Sequence, residues 1–229
     1  MTKKTPSLSG LRMKKTRVKT AKKRKTSSTL WLQRQLNDPY VIMAKKEGYR
    51  SRAAYKLIEL DDKFHFLKPG KKILDLGAAP GGWTQVSVVR CKSTAELPQV
   101  VAIDILDMPR VTGSAFIQCD FMDDSAPQKL RDLLGGKPDV ILSDMAPNTT
   151  GHGATDHLRI MALLELAYEF ALEILKPGGV FVAKVFQGGT ERELLTRMRK
   201  DFETVKHAKP QASRADSSEM YVVAMGFRK

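Results

Sequence analysis

The sequence has very little cysteine, and what it has lacks the spacing of a metal site. Cys91 and Cys119 are the only two cysteines among 229 residues, and no CxxC motif occurs. The four histidines show no spacing typical of metal ligands either. These absences argue against a disulfide framework and against a zinc site, and we predict that the protein holds no metal and works in a reducing compartment.

Long hydrophobic runs are absent as well. No stretch approaches the roughly 18 consecutive apolar residues of a transmembrane helix. The N-terminal segment is charged rather than apolar, so we expect no secretory signal. We therefore expect a chain with no membrane partner, long enough to form one α/β domain with a substantial core.

Acidic residues are missing from the first 29 positions. Residues 1–29 hold eight lysines and three arginines and carry +11 of the net charge of +14, which leaves +3 for residues 30–229. Such a segment cannot bury enough apolar surface to offset its ordering entropy, so we predict a disordered basic arm over residues 1–29. Its expected partner is a polyanion. Two alternatives stay open: a solubilising extension without a partner, and a mitochondrial transit peptide.

Residues 30–229 show the alternation of strands and helices that is typical of α/β proteins. Five short apolar runs are predicted to form buried strands: Lys72–Leu76, Val100–Ile103, Ala115–Gln118, Val140–Leu142 and Val180–Phe186. Helical stretches separate most of them, most clearly Thr155–Leu175 and Thr190–Asp201, the second opened by a capping box from Thr190 to Glu193. This order predicts a mostly parallel, doubly wound, Rossmann-like sheet.

The two ends of this domain depart from the alternation. Glu203–Ala208 and Met220–Phe227 are predicted strands with no helix between them, which indicates an antiparallel hairpin at one edge of the sheet. Near the start, Asp38-Pro39 is predicted to open a short helix that runs through Lys46 and stops near Gly48. Ser51 is predicted to cap the next helix.

A glycine-rich turn follows the first predicted strand, in Asp75-Leu-Gly-Ala-Ala-Pro-Gly-Gly-Trp83. Enzymes that bind dinucleotides carry G-x-G-x-x-G at this place. Here Ala79 replaces the middle glycine that lets a pyrophosphate approach, and Pro80 removes a backbone donor. The turn therefore favours a ligand without phosphates.

Carboxylates follow the next two predicted strands. Asp104 ends the second strand, where it can accept hydrogen bonds from a ribose diol, and Asp120 follows the third, where it can receive an adenine amino group. Either acid could instead be a helix cap or an exposed loop residue, and for Asp120 alone that is the better explanation; the position of Asp104 alone does not distinguish S-adenosylmethionine from NAD. Ligands of open α/β sheets bind beyond the carboxyl ends of the strands, so together these acids predict a nucleoside site.

Three segments resemble the FtsJ/RrmJ family, the RlmE-type uridine 2′-O-methyltransferases of large-subunit ribosomal RNA. These segments are Asp75–Trp83, Ser143–Asn148 and Lys184–Gly188, and the likeness runs from about Trp31 to Phe227. The resemblance implies a class I methyltransferase fold and S-adenosylmethionine as methyl donor. It further implies that the donor contacts five residues: Gly81, Trp83, Asp104, Asp120 and Asp144.

Lys184 is the residue whose position is unusual without any family likeness. It lies within the apolar strand Val180–Phe186, on the same face as Val182 and Phe186. A buried ammonium beside a second cation loses its proton more readily than one in water, so we predict that Lys184 accepts the proton of the attacking hydroxyl. A lysine that reaches solvent at a strand end is the competing interpretation.

The resemblance supplies the other members of the catalytic group. It implies a tetrad of Lys56, Asp144, Lys184 and Glu219, in which Lys56, Asp144 and Glu219 orient the base and balance its charge. Four cationic side chains flank these segments and are predicted to hold RNA phosphates, although scattered surface charge explains them almost as well: Arg50, Arg52, Lys209 and Arg214.

By this resemblance the protein methylates a uridine of 23S ribosomal RNA, within the assembled large subunit, and acts as a monomer in the bacterial cytoplasm. A mitochondrial location is the weaker alternative. A transfer RNA 2′-O-methyltransferase and a ribosome-assembly RNA-binding protein remain alternative functions. The basic arm favours ribosomal RNA, because a polycation can enter a large RNA assembly.

Overall fold

The computed structural model of the protein describes residues 16–18, 20, 25–147, 153–186 and 192–229. The described helices are α1 (Thr26–Asn37), α2 (Pro39–Glu47), α3 (Ala53–Phe64), α4 (Gly82–Cys91), α5 (Ala126–Leu134), α6 (Gly153–Ile174) and α7 (Arg192–Asp201). The described strands are β1 (Ile73–Leu76), β2 (Val100–Asp104), β3 (Ser114–Gln118), β4 (Val140–Ser143), β5 (Val180–Phe186), β6 (Phe202–Ala208) and β7 (Glu219–Phe227). None of these helices is both long enough and apolar enough to cross a bilayer.

All seven strands form one sheet in the order β3-β2-β1-β4-β5-β7-β6. Strands β1 to β5 are parallel, and β7 is antiparallel to both β5 and β6. The predicted fold class is confirmed, as are the five predicted parallel strands and the C-terminal hairpin. The chain order reverses between β1 and β4, which is where open α/β sheets bind their ligands.

Two layers of helices cover the sheet. Helices α2, α3 and α4 pack on one face, where Leu57 and Trp83 belong to the same core as Val182. Helices α5, α6 and α7 pack on the other face, where Leu130 and Tyr168 are among the buried residues. Because side chains alternate along β5, residue 184 faces the same layer as Val182.

Of the two caps predicted for the N-terminal helices, that of α2 is confirmed and that of α3 is wrong. Asp38 caps α2 as predicted, since its Oδ1 accepts the Tyr40 backbone N–H at 3.0 Å, and Gly48 ends the helix in the left-handed region at φ 80°. The predicted Ser51 cap is wrong: Arg52 holds the cap position without a side-chain hydrogen bond. Ser51 Oγ is instead buried, with no hydrogen-bond partner among the described residues, at the place where a Cβ on Gly82 would lie 2.4 Å away.

Several predictions concern residues at the edges of the described ranges. Helix α1 begins at Thr26, inside the segment 1–29 that the sequence predicts to be disordered, and most of that segment lies outside the described residues. Thr190, the predicted cap of α7, also lies outside them, as do residues 148 and 187–188 of the family-like segments.

Candidate active site

Two partly buried ion pairs lie at the carboxyl edge of the parallel strands. Lys56 of α3 reaches Glu219 at the start of β7, with its Nζ 2.7 Å from Oε1 and 2.8 Å from Oε2. Lys184 of β5 donates from Nζ to Asp144, which follows β4, at 3.1 Å to Oδ1 and 2.7 Å to the backbone oxygen. The four residues of the tetrad are therefore brought together as two pairs.

Tyr221 joins the two pairs into one network. Its hydroxyl donates to Asp144 Oδ1 at 2.8 Å and accepts from Lys56 Nζ at 3.3 Å. The sequence analysis did not select Tyr221. Strand alternation contains the signal, because Tyr221 is two residues beyond Glu219 and pairs in register with Lys184.

The centre of the network is buried. Lys184 is 8% exposed and Tyr221 is fully buried, and the Tyr221 ring packs against Trp83 with a centroid distance of 5.5 Å. Burial raises the pKa of Tyr221 well above its usual value, and the charges of Asp144 and Glu219 add to this, so the phenol stays protonated and acts as a donor. Lys184 is therefore buried within its strand and does not reach solvent at the strand end, and its polar partner there is Asp144.

Asp144 is held as a carboxylate in spite of its burial. Burial raises its pKa, but the charges of Lys184 and Lys56 and the hydrogen bonds from Tyr221 and Lys184 outweigh that effect and place the pKa of Asp144 below its usual value. Its backbone N–H donates to the oxygen of Leu76 at 3.1 Å, which ties it to the end of β1. The ionised carboxylate thus lies between two lysines at the reversal point of the sheet.

The turn after β1 lies against this group. Gly77 has φ +76°, and a Cβ on it would lie 2.8 Å from the Met145 backbone, so only glycine allows the turn to approach the segment after Asp144. Gly81, at φ +106°, is the N-cap of α4. The first N–H groups of α4, from Gly82 to Thr84, have no partner within their helix and carry the positive end of its dipole.

Asp104 fixes the shape of that turn. Its Oδ2 accepts the Ala79 backbone N–H and its Oδ1 accepts the Leu106 backbone N–H, each at 2.8 Å. A carboxylate has further lone pairs, so a ribose diol can still bind. Asp120 is exposed just beyond β3, and among the described residues its carboxylate accepts only the Met122 backbone N–H, at 2.9 Å.

Trp83 differs from what a ligand-binding side chain requires. It is 3% exposed, and its Nε1 donates to the Ala53 oxygen at 2.8 Å. Its indole therefore stabilises the network by packing against Tyr221 in the core. Any contact between Trp83 and a ligand has to come from its backbone.

The four flanking cations divide into two groups. Arg50 donates to the backbone oxygens of Pro80, Pro109 and Arg110, and so clamps the glycine-rich turn. Lys209 Nζ donates to the backbone oxygens of Ala215 and Ser217, and so stabilises the connection between β6 and β7. The described hydrogen bonds of both side chains are therefore to backbone oxygens of the protein itself.

Arg52 and Arg214 form the second group. Both lie near Asp38, with Arg52 Nη1 at 2.6 Å and Arg214 Nε at 3.8 Å from its Oδ2.

Asp75 is an ionisable group that the sequence analysis named only as the start of the turn. It is fully buried, its Oδ2 accepts the Thr84 hydroxyl at 2.7 Å, and its Oδ1 has no partner in the part of the chain that the structure describes. Burial raises the pKa of Asp75 to about 7; the Thr84 hydrogen bond opposes this, and the charges of Asp144 and Asp104 add to it.

The groups around the turn fit a ligand with positive charge, an aromatic ring and no phosphates. Four carboxylates lie at the strand ends: Asp75, Asp104, Asp120 and Asp144. Three exposed apolar side chains follow β2 and β3, where they can cover a purine: Ile105, Leu106 and Met122. Among the described residues, the carboxylates of Asp104 and Asp120 accept only backbone N–H groups, so their negative charge would repel a pyrophosphate and attract a cation.

Comparison with known proteins agrees with this geometry. The sequence profile of the family described as FtsJ-like methyltransferase matches residues 49–227. A protein of Rhodopseudomonas palustris (strain BisB5) named "Ribosomal RNA large subunit methyltransferase E" is 61% identical over 211 residues, which cover 92% of this chain and 90% of the relative. A protein of the same name from Mesorhizobium japonicum is 59% identical over 100% of this chain and 87% of its own length.

A solved structure is also similar. The crystal structure of a protein described as a ribosomal RNA methyltransferase from Plasmodium falciparum superposes with a TM-score of 0.69 at 36% identity, covering 78% of this chain and 98% of that one. The family expected from the sequence motifs is thus confirmed by sequence and by fold. The chain belongs to the FtsJ-like methyltransferase family.

Proposed function

We propose that this methyltransferase transfers a methyl group from S-adenosylmethionine to the ribose 2′-hydroxyl of a uridine in 23S ribosomal RNA of the large subunit. The observation that carries the proposal is Lys184, an amine buried within β5 and held by Asp144 in a charge-balanced network. A ribose hydroxyl is a weak acid, so its methylation needs a positioned proton acceptor.

The proposed cofactor residues are Gly81, Trp83, Asp104, Asp120 and Asp144. S-adenosylmethionine supplies an activated methyl group on a sulfonium, and its carboxylate, diol and purine have matching partners at this edge of the sheet. The start of α4, with Gly81 and the Trp83 backbone, suits the carboxylate because its N–H groups carry positive charge. Asp104 is suited to bind the ribose diol, and Asp120 is suited to bind the adenine amino group. Asp144 is suited to lie beside the sulfonium.

The geometry at Lys184 leaves one position for the acceptor hydroxyl. Nζ already donates twice, to the Asp144 carboxylate and to its backbone oxygen. In the neutral amine the two N–H groups make these bonds and the remaining tetrahedral position is the lone pair. Lys184 thus accepts the hydroxyl proton at Nζ without losing either bond to Asp144.

Lys56, Glu219 and Tyr221 hold this arrangement in place. Both carboxylate oxygens of Glu219 contact Lys56 Nζ. Lys56 Nζ also donates to the Tyr221 hydroxyl, which in turn donates to Asp144. With two lysines and two carboxylates the network has no net charge when Lys184 is protonated. It therefore stabilises the ammonium that forms as the proton is transferred.

Large-subunit ribosomal RNA is supported by two independent observations. The relatives from Rhodopseudomonas palustris and Mesorhizobium japonicum are named for it. The segment 1–29 carries +11, which suits an extensive polyanion inside an assembled particle. We therefore place the reaction on the 50S subunit in the bacterial cytoplasm, catalysed by a monomer.

The test uses S-adenosylmethionine labelled in its methyl group. The protein is incubated separately with purified 50S subunits, free 23S RNA and transfer RNA, and the RNA is digested to nucleosides. Label in 2′-O-methyluridine from the large-subunit RNA is the expected result, and label confined to transfer RNA would contradict it. Absence of label in every RNA would favour an RNA-binding protein without this activity.

A further inference from the structure

A cavity of about 440 Å³ opens beside the Lys56–Glu219 pair, and none of the proposed cofactor residues is among those that line it. Its size falls within the range of roughly 300–1,000 Å³ that small-ligand pockets have. Three parts of the chain meet around it: α1, the start of α3 and the connection from β6 to β7. Its lining residues are Arg34, Gln35, Arg52, Ala53, Lys56, Arg214, Asp216, Ser217 and Glu219.

The lining is cationic. It carries four cations against two carboxylates, and one of these carboxylates, Glu219, is already taken by Lys56. Arg34 reaches Asp216 only at 4.0 Å, and both side chains are largely exposed. Since exposed pairs at this distance contribute little, the guanidinium of Arg34 keeps N–H groups available for an anion.

Asp38 directs two further guanidinium groups toward the cavity. Its Oδ2 binds Arg52 and lies within 3.8 Å of Arg214, and Arg52 also donates to the Ala212 oxygen. The Arg214 side chain remains one-third exposed. A shared carboxylate thus holds cations from two distant segments side by side, which lowers the entropy cost of binding an anion.

An exposed tryptophan lies next to this cationic wall. Trp31 is three residues before Arg34 and four before Gln35, so all three project from one face of α1. Trp31 is 55% exposed, although a large aromatic side chain usually gains by burial. Exposed aromatic rings beside arginines are the usual means by which proteins bind unpaired bases.

We propose that α1 completes a binding site for a single-stranded RNA segment, in which Arg34 and Arg214 bind phosphates and Trp31 stacks on a base. A nucleotide bound in the cavity lies beside the Lys56–Glu219 pair, because both residues line it. This proposal rests on the proposed function, since it takes the ligand to be the acceptor RNA. It assigns α1 to substrate binding, although α1 lies outside the residues that match the family profile.

The binding test uses a fluorescein-labelled 12-nucleotide oligouridylate and measures anisotropy at several salt concentrations. Trp31→Ala should weaken binding about ten-fold, because stacking on one base contributes that much, and Trp31→Phe should retain most of the affinity. The double variant Arg34→Gln/Arg214→Gln should make the slope of log K against log salt less steep by about 1.4, for two phosphate contacts. RNA should also quench the fluorescence of the wild type, and Trp31→Ala should lose that signal.

Two substitutions on the opposite layer are the matched controls. Lys200→Gln removes an exposed charge from α7 and Leu133→Ala removes an exposed apolar side chain from α5, and both should bind like the wild type. Equal S-adenosylmethionine affinity in calorimetry shows that every variant is folded. In methylation of 50S subunits, Trp31→Ala and the double arginine variant should raise KM and keep kcat, because they leave the Lys184 network intact.

The outcomes separate this site from the proposed function. If the wild type methylates large-subunit RNA but the Trp31 and arginine variants behave like Lys200→Gln, the site is wrong. If oligonucleotide binding depends on Trp31 and the arginines but no RNA is methylated, the site stands and the proposed function fails.

Discussion

Replacement of Tyr221 by phenylalanine tests the network at its central link. The substitution removes the hydroxyl that donates to Asp144 at 2.8 Å and accepts from Lys56 at 3.3 Å. It keeps the ring that packs on Trp83 at a centroid distance of 5.5 Å, so the core loses almost no volume. A hydrogen bond to a charged group contributes about 1.5–3 kcal/mol. If that contribution acts on the orientation of Lys184 in the transition state, kcat falls roughly 10–100-fold.

The assay is a single-turnover methylation of 50S subunits at saturating cofactor, with cofactor affinity measured by calorimetry. Tyr168→Phe is the matched control, because Tyr168 is also fully buried and donates its hydroxyl to a carboxylate, Asp201, at 2.6 Å on the opposite layer. The control should lose stability and keep its rate, whereas Tyr221→Phe should lose rate and keep its cofactor affinity. A Tyr221→Phe rate within roughly two-fold of the wild type would refute the role of the network in catalysis.

Three further perturbations test other parts of the account. Lys184→Ala should abolish turnover and leave cofactor affinity nearly unchanged in calorimetry, and near-normal turnover would show that Lys184 is not the base. Deletion of residues 1–24, which carry ten of the positive charges and precede α1, should weaken RNA binding most at low salt without lowering the melting temperature; an unchanged salt slope would leave the arm without an RNA contact. Asp75→Asn tests the buried carboxyl by its pH dependence. The folded state raises the pKa of Asp75 from 3.8 to about 7, so its contribution to stability is present below pH 4 and is lost as the pH rises toward 7. Asparagine resembles the neutral acid. The free energy of unfolding of the variant, measured by chemical denaturation, should therefore rise relative to that of the wild type by up to about 4 kcal/mol between pH 4 and pH 7. A difference that stays constant from pH 4 to 8 would contradict the raised pKa.

The sheet was predictable because its signals are local. Apolar runs bounded by turn residues identify β1 to β5, and the absence of a helix between the last two runs identifies the antiparallel edge. The position of Lys184 was predictable for the same reason, since side chains alternate along a strand. Capping of α2 by Asp38 likewise depends on neighbours in sequence.

The failures concern contacts between distant segments. Ser51 has the right residue type for a cap, but its hydroxyl lies against Gly82, about thirty residues away, and tertiary packing decided its position. The contacts of Arg50 with the backbone oxygens of Pro109 and Arg110, about sixty residues away, were likewise not predictable from neighbours in sequence, and its predicted phosphate contact stays a prediction. Tyr221 was missed because a tyrosine in an apolar strand is ordinarily a core residue, and only the register of β5 with β7 places its hydroxyl between the two ion pairs.

The site of methylation on the nucleotide is the most direct test of the central claim. A 2′-O-methyl group removes the nucleophile that alkali uses to cleave the neighbouring phosphodiester, whereas a methyl group on the base leaves it in place. Large-subunit RNA labelled by the enzyme is therefore hydrolysed in alkali and separated by size. The account predicts that the label survives in dinucleotides that contain 2′-O-methyluridine and is lost with Lys184→Ala. Label released entirely in mononucleotides would contradict it.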